Sequence, residues 1–246
     1  MKVSATDMKN YFGKYLEKCK DEAIFVTKND RVVAKLISYE DPSDGFLMLR
    51  DGSAAYAYSG KRITYEEFLK ITENNEERYE YIDGEIYLMT SPDIFHQLIH
   101  ARIFTHLAIW LKGKKCQVFS SPFDVTLVND DLKSKNVVEP DILVSCDYLD
   151  QKDEKNRYTG IPALVIEILS PSTRSIDQVK KLNVYLSGGV SEYWVVDPRD
   201  QKVTLYSFVE KQLEDIIVFK HPDVVKSIRF KGLEMPTSEI FSDGND

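Results

Sequence analysis

The sequence predicts an α/β protein in which a mixed β-sheet is flanked by helices, preceded by a small helix-and-hairpin unit. Three observations support this fold class. Short runs rich in β-branched and aromatic residues alternate with segments of helical periodicity along the 246 residues. The dipeptide Asp83-Gly84 joins two of the β runs, which is a strong hairpin signal. Several later runs are apolar throughout, as expected of strands in the middle of a covered sheet.

Residues 1–42 form a unit of their own. Apolar residues recur with helical spacing from Ala5 to Lys20, and Ser4 or Thr6 is suited to cap the start of that helix. Two β runs around a polar turn follow and predict a hairpin. Because a helix and a hairpin make too small a core to be stable alone, we expect this unit to dimerise or to dock.

The predicted second domain covers residues 62–243, after a Gly-, Ser-, Asp- and Ala-rich linker at 43–61. Thr64 and Glu67 fit a capping box at its first helix. The remaining predicted elements are the hairpin RYEYIDGEIYLMT, a long helix from Pro92 to about Leu111, the strands CQVFSS, FDVTLV, DILVSC and ALVIEIL, a helix from Arg174 to Ser187 ended by Gly188-Gly189, and the strands EYWVVD and KVTLYSF.

Composition excludes several classes of protein. The net charge of −8 argues against general charge-driven binding to nucleic acid or anionic membranes, although metal-binding carboxylates make an empty nuclease site acidic. No run approaches the roughly 18 apolar residues of a membrane helix, and the first residues lack the core of a secretion signal. The spacing of Cys19, Cys116 and Cys146 predicts neither a disulfide framework nor a zinc ribbon, so a reduced, cytoplasmic environment is expected. No Gly-rich nucleotide loop is present, so no ATP dependence is expected.

Two acidic residues in apolar surroundings give the strongest chemical signal. Glu167 lies within the run ALVIEIL, where a carboxylate is costly unless it is paired or binds a metal. Asp141 begins the apolar run DILVS. Carboxylates on neighbouring strands can converge at one end of a sheet and hold Mg²⁺ through hard oxygen ligands. A buried ion pair with an arginine or a lysine remains the alternative.

A predicted helix brings further candidates to one face. Asp177, Lys181 and Tyr185 are spaced four residues apart, which places them on the same side of a helix. A lysine facing a metal site can orient the attacking water or stabilise charge that builds up on phosphate. A solvated helix face is the alternative interpretation, and Lys180 is expected to point elsewhere.

The stretch IEILSPSTRSIDQVKKLNVYLSGGVSEYWVVDP resembles the signature of the Uma-two family of restriction-endonuclease-like proteins, in the PD-(D/E)XK nuclease superfamily. The resemblance extends upstream to VVEPDILVS and ERYEYIDGEIYLMTSPDIFHQ and covers about residues 62–243. It implies a restriction-endonuclease-like core. It also implies a nuclease that needs Mg²⁺ or Mn²⁺.

The resemblance assigns roles to individual residues. Asp141 matches the acid of the "PD" element, and Glu167 matches the acid of "(D/E)XK". The lysine of that element would fall at Leu169, and Lys181 from the following helix is expected to replace it. Glu80 matches an upstream acid that can complete the metal shell. Glu85, just after the hairpin turn, is a secondary candidate.

Two further candidates are basic. The family often has a histidine at His96, where hydrogen bonding to phosphate or ordering of a loop is favoured. Zinc binding with His100 is a weaker alternative, because the i, i+4 spacing alone is not specific. Arg174, in the loop before the helix of Lys181, can contact a phosphate, while simple helix capping by Ser172 or Ser175 explains this loop equally well.

The first unit resembles the Phd/YefM, or prevent-host-death, antitoxins. The shared features are an SAT start, an amphipathic helix containing Phe12, and the hairpin pattern V-T-K-N-x-x-x-V-A. Such modules dimerise through their hairpins and bind operator DNA. The resemblance therefore implies a homodimer, with or without DNA binding.

The main hypothesis is a Mg²⁺-dependent endonuclease that hydrolyses nucleic acid, with DNA favoured. Asp141, Glu167 and Glu80 would hold the metal, and Lys181 would position water or neutralise charge. The alternative is a non-cleaving, DNA-binding regulator of the toxin–antitoxin type that works through residues 1–42.

Overall fold

The structure, a computed structural model, describes residues 1–19, 22–29, 31–36, 61–73, 75–129, 134–154, 156–170 and 180–242. The helices in these ranges are α1 Ala5–Asn10, α2 Phe12–Lys18, α3 Tyr65–Thr72, α4 Ile94–Leu111, α5 Leu182–Gly188 and α6 Thr237–Phe241. The strands are β1 Lys2–Ser4, β2 Ile24–Lys28, β3 Arg31–Leu36, β4 Tyr79–Ile82, β5 Glu85–Leu88, β6 Gln117–Ser120, β7 Val125–Asn129, β8 Ser134–Val138, β9 Ile142–Ser145, β10 Leu164–Ile168, β11 Glu192–Asp197, β12 Lys202–Val209, β13 Gln212–Lys220, β14 Val224–Lys226 and β15 Glu234–Pro236.

A six-stranded mixed sheet forms the centre of the molecule, with the strand order β13-β12-β11-β10-β9-β6. Only β10 and β11 run parallel in this sheet, and its other neighbouring strands are antiparallel. Helix α4 covers one face through Ile99, Ile103 and Leu107, and α5 packs on the other face. All five residues of β10 are buried, as the apolar run predicted. The α/β fold class with a helix-flanked mixed sheet is therefore confirmed.

A four-stranded sheet, in the order β5-β4-β8-β7, lies beside the central one. Its hairpin turns at Asp83-Gly84, where both residues have positive φ, as this dipeptide predicted. The capping box of α3 is also present, since Thr64 and Glu67 each accept a hydrogen bond from the other's backbone N–H. Residues 139–141 carry the chain from β8 in this sheet to β9 in the central sheet.

The first unit is a three-stranded sheet with two short helices. Strand β1 runs parallel to β2, and β2 and β3 form the predicted hairpin. Ser4 caps α1 by accepting a hydrogen bond of 2.9 Å from the N–H of Asp7. The single helix expected from Ala5 to Lys20 is wrong, because the backbone leaves helical geometry at Tyr11 (φ −127°) and divides it into α1 and α2.

This unit docks on the central sheet. Phe25 and Ala23 of the unit join the core on the α5 side of the sheet, and the ring of Phe25 lies edge-on to Tyr206 at 6.3 Å. The Nζ atom of Lys2 donates to the backbone oxygen of Glu214 at 2.6 Å. The small unit therefore completes its core against the larger one. Residues 43–60 of the predicted linker lie outside the described residues.

Helix α5 is the described part of the helix predicted from Arg174 to Ser187. It ends at Gly188, and Gly189 takes the left-handed conformation with a φ of +89°, as the glycine pair predicted. In the part of the chain that the structure covers, no helix is long and apolar enough to cross a membrane.

The expectation that no cysteines pair is wrong for two of them. Cys116 and Cys146 form a disulfide across a separation of 30 residues. The physical reason is the sheet register, in which Gln117 of β6 pairs with Ser145 of β9, so the residues just outside this pair also face each other. Cys19 is a buried free thiol.

Candidate active site

The two acids of the main sequence signal lie side by side at one end of the central sheet. Ile166 pairs with Ile142 in the antiparallel β9–β10 ladder. Glu167 follows Ile166 and Asp141 precedes Ile142, so these two acids are also neighbours. The N–H of Ile168 donates to Oδ2 of Asp141 at 2.7 Å, and the N–H of Asp141 lies 3.5 Å from Oε2 of Glu167. The register of the sheet thus makes these two acidic residues neighbours.

Lys181 connects this pair to the second sheet. Its Nζ atom lies 2.9 Å from Oε1 of Glu167 and 2.9 Å from Oε1 of Glu80. The side chains of all three residues are at most 6% exposed. Since Glu80 belongs to β4 and Glu167 to β10, one ammonium group joins both sheets. Lys181 therefore points inward and is not solvated.

Tyr185, one helical turn after Lys181, contacts the same carboxylate. Its hydroxyl donates to Oε1 of Glu167 at 2.6 Å, and its ring is fully buried. Burial, together with the charge of Glu167, raises the pKa of Tyr185 well above its ordinary value of 10.0. The phenol therefore keeps its proton and remains a hydrogen-bond donor.

Glu139 and Arg78 form a second, partly buried ion pair beside Glu80. The backbone N–H of Glu139 donates to Oε1 of Glu80 at 2.8 Å. The Glu139 carboxylate contacts the Arg78 guanidinium and accepts a hydrogen bond of 2.6 Å from Ser121. The guanidinium side chain is 40% exposed, whereas that of Glu139 is 3% exposed. Arg78 therefore presents a positive charge to solvent next to the buried carboxylates.

Sequence reasoning missed both members of this pair, although each carried a signal. Glu139 lies two residues before Asp141 in the motif VVEPD, and Arg78 lies two residues before Glu80. In extended chain, residues two apart point to the same side.

The two histidines hold the Asp141 segment from the side of α4. The Nε2 atom of His96 lies 3.1 Å from Oδ2 of Asp141. That of His100 lies 3.1 Å from the backbone oxygen of Asp141 and 2.9 Å from Oγ of Ser120. Because the two rings face different atoms of Asp141, the arrangement orders this loop and does not form a two-histidine zinc pair.

Lys180 has different partners from Lys181, in line with the expectation that it points elsewhere, and it binds the hairpin beside the buried acids. Residues 180 and 181 form a wide, π-type turn leading into α5, so both lysines reach the same hairpin. The Nζ atom of Lys180 lies 2.8 Å from Oε2 of Glu85 and also contacts the hydroxyl of Tyr87. Burial would raise the pKa of Glu85, but hydrogen bonds from Lys180 and Tyr87 outweigh it and hold that pKa below 4.5.

Three other expectations concern the segment between β10 and α5. Leu169, where the motif lysine would fall, is buried with the apolar residues on the α5 side of the sheet. Arg174 and Asp177 lie outside the described residues.

The donor set fits one hard metal ion. Among the described residues, no three acidic, histidine or cysteine side chains form a complete metal cluster. Asp141 and Glu167 are nevertheless neighbours at the end of the β9–β10 ladder, and the side chain of Asp141 is 20% exposed. Mg²⁺ is commonly bound by one or two carboxylates and completes its shell with water and substrate phosphate. The two acids fit this coordination preference of Mg²⁺.

Comparison with known proteins shows the family of this chain. The profile of the Uma2 family, described as "Putative restriction endonuclease", matches residues 65–238. The chain therefore belongs to the Uma2 family of restriction-endonuclease-like proteins. The match spans both larger sheets and includes all the acidic residues of the site.

Individual proteins are also similar to this chain. The uncharacterized protein slr1290 of Synechocystis sp. is 32% identical over 146 residues, which are 59% of this chain and 74% of that protein. The uncharacterized protein sll1609 of the same organism is 23% identical over 150 residues, covering 61% and 82%. A crystal structure of a putative nuclease belonging to DUF820 from Anabaena variabilis superposes with a TM-score of 0.61 at 26% identity and covers 73% of this chain and 98% of that one.

Proposed function

We propose that this protein is a Mg²⁺-dependent endonuclease that hydrolyses phosphodiester bonds of nucleic acid, with DNA as the favoured substrate. The observation that carries the proposal is the convergence of Asp141, Glu167, Glu80 and Lys181 where two sheets meet. Buried charges are expensive, and a carboxylate pair with only one cation leaves negative charge for a metal to neutralise. Membership in a family described as restriction-endonuclease-like supports the same reaction class.

In this proposal Asp141 and Glu167 hold the metal ion, and Mn²⁺ can replace Mg²⁺. When bound, the ion lowers the pKa of a water molecule and stabilises the charge on the scissile phosphate. His96 and the N–H of Ile168 fix the Asp141 carboxylate from two directions. Lys181 and Tyr185 fix the Glu167 carboxylate in the same way. Both acids are thereby held in place before substrate arrives.

Two partly exposed cations border these acids and favour an anionic substrate. Arg78 is held by the buried carboxylate of Glu139, and Lys180 is held by Glu85. Each presents positive charge at the edge of an otherwise acidic site. We assign them to contacts with the phosphates on either side of the cleaved bond, which position the substrate without reading its sequence.

A metal-dependent cleavage assay tests the proposal. Supercoiled plasmid, linear duplex, single-stranded DNA and RNA are incubated with Mg²⁺, Mn²⁺ or EDTA. Wild type is expected to cleave DNA only with metal. Asp141→Asn and Glu167→Gln are expected to lose about 100-fold or more of the rate, because they remove charges that act on the transition state.

The matched control for Asp141→Asn is Asp150→Asn, which makes the same chemical change at an exposed loop position. This control should cleave as the wild type does. Equal cleavage by wild type and by both site variants would point to a contaminating nuclease. No cleavage of any substrate by folded wild-type protein in Mg²⁺ or Mn²⁺ would overturn the proposal.

The first unit supports a proposed homodimer. Strand β3 is an edge strand of its sheet, and Val32 and Val33 on it are 37% and 58% exposed. An exposed apolar edge is suited to pair with a second copy. This agrees with the Phd/YefM resemblance, in which dimers form through the hairpin. Light scattering of the wild type and of Val33→Lys tests the proposal. The wild type is expected to be a dimer, and Val33→Lys is expected to be a monomer.

A non-cleaving, DNA-binding regulator remains the second candidate function. The observation that favours it is the exposed edge strand β3 of the first unit. This function requires that the full chain binds DNA without cutting it. It also requires that Glu167→Ala, which removes a proposed metal ligand, binds DNA as tightly as wild type does. Cleavage by wild type under the assay above would contradict it.

A further inference from the structure

Glu167 uses its two oxygens in different ways. Oε1 receives the ammonium of Lys181 at 2.9 Å and the hydroxyl of Tyr185 at 2.6 Å. Oε2 lies on the side of Asp141, 3.5 Å from its backbone nitrogen. One carboxylate therefore faces two separate positions, and the one at Oε1 already contains a positive charge.

Glu80 closes the position occupied by Lys181. Its Oε1 lies 2.9 Å from Nζ of Lys181 and also accepts the N–H of Glu139 at 2.8 Å. Nuclease sites with two metals place the ions about 3.5–4 Å apart, and the ions clamp the attacking and leaving oxygens. In this protein the place beside Glu167, away from Asp141, contains a lysine ammonium between two carboxylates.

The charges of the site favour a single divalent ion. Glu80, Glu167 and Asp141 carry three negative charges, and Lys181 carries one positive charge that touches two of them. One divalent ion would balance the remaining two negative charges. A second divalent ion would leave a buried excess of positive charge, which is costly in an environment that is largely removed from water.

We propose that the ammonium of Lys181 fills the second cation position, so that the protein binds one divalent ion, at Asp141 and Glu167, and not two. This inference rests on the proposed metal-dependent nuclease and deepens it. Lys181 then acts as a fixed cation that cancels one negative charge, shared between Glu80 and Glu167, and it sets the number of metal ions in the site.

Metal-binding stoichiometry tests this inference without any measurement of activity. Full-length protein is titrated with Mn²⁺ by calorimetry and by the loss of the free-Mn²⁺ paramagnetic resonance signal. Wild type is expected to bind one ion. Lys181→Met, which keeps the length of the side chain and removes its charge, is expected to bind two. The matched control Lys180→Met changes the neighbouring lysine and is expected to bind one.

Other results would overturn the inference in distinguishable ways. Two ions in wild type would contradict it and leave the proposed nuclease intact, as would one ion in Lys181→Met. No ion in wild type would overturn both. If Lys181→Met is unfolded without metal, saturating Mn²⁺ is expected to restore its circular dichroism spectrum, because an added cation replaces the lost one. A variant that stays unfolded in Mn²⁺ would contradict the inference.

Discussion

Lys180 and Lys181 are neighbours in the chain, and both bind glutamates of the β4–β5 hairpin, yet their surroundings differ sharply. Lys181, with Glu80 and Glu167, is at most 6% exposed, while Lys180 and Glu85 are each 34% exposed. The difference shows how burial changes the meaning of one contact. A half-exposed pair is screened by water and contributes little. A buried group of charges depends on every member, because removing one leaves its partners desolvated and unpaired.

The largest effect is expected from breaking the buried group. Lys181→Met leaves Glu80 and Glu167 facing each other without a cation, so we expect the metal-free protein to lose about 3–5 kcal/mol of unfolding free energy. Urea denaturation in EDTA measures it. Lys180→Met is the control, with an expected loss of about 0.2–1 kcal/mol. Equal losses in the two variants would show that burial does not separate the two lysines.

A smaller effect is expected from the hydroxyl that donates to Glu167 beside Lys181. Tyr185→Phe removes the hydroxyl that donates to Oε1 of Glu167 and leaves the ring in place. A hydrogen bond to a charged group contributes about 1.5–3 kcal/mol, so we expect a loss of that size in urea denaturation. Tyr206→Phe, another buried tyrosine of the same core, serves as the control. A loss no greater than the control's would contradict the role of the Tyr185 hydroxyl.

The affinity of the proposed metal site is expected to depend on His96. Its Nε2 atom lies 3.1 Å from Oδ2 of Asp141, and groups that orient metal ligands typically contribute 10–100-fold in metal affinity. We therefore expect His96→Ala to raise the Kd for Mn²⁺ by about 10–100-fold. His106→Ala, farther along α4, is expected to leave that Kd unchanged. An unchanged Kd in His96→Ala would contradict a role of His96 in orienting Asp141 for metal binding.

The smallest effect concerns pH at the half-exposed pair. The pKa of Glu85 is held below 4.5 in the folded protein, so the pair adds stability above that pH and loses it as the pH falls through the lowered pKa. The stability difference between wild type and Lys180→Met should therefore shrink as the pH falls from 7 to 3. Urea denaturation at several pH values measures it. A difference that stays constant across this range would show that Glu85 does not titrate against Lys180.

The elements and their ends were predictable where they depend on nearby residues. The capping box of α3, the turn at Asp83-Gly84 and the glycine stop after α5 each involve groups a few positions apart. Local spacing misjudged α1 and α2, since helical periodicity continues across Tyr11 while the backbone does not.

The sequence by itself determined the class of fold, its family and the acids worth attention, because Asp141 and Glu167 stand out against apolar neighbours. Only the tertiary structure decided which cation meets which acid. Glu80 and Glu167 lie on different sheets, and Cys116 and Cys146 lie next to the ends of different strands, so their contacts depend on strand order and register. Those are set by packing of the whole core, which joins residues far apart in the chain and leaves no local pattern in the sequence.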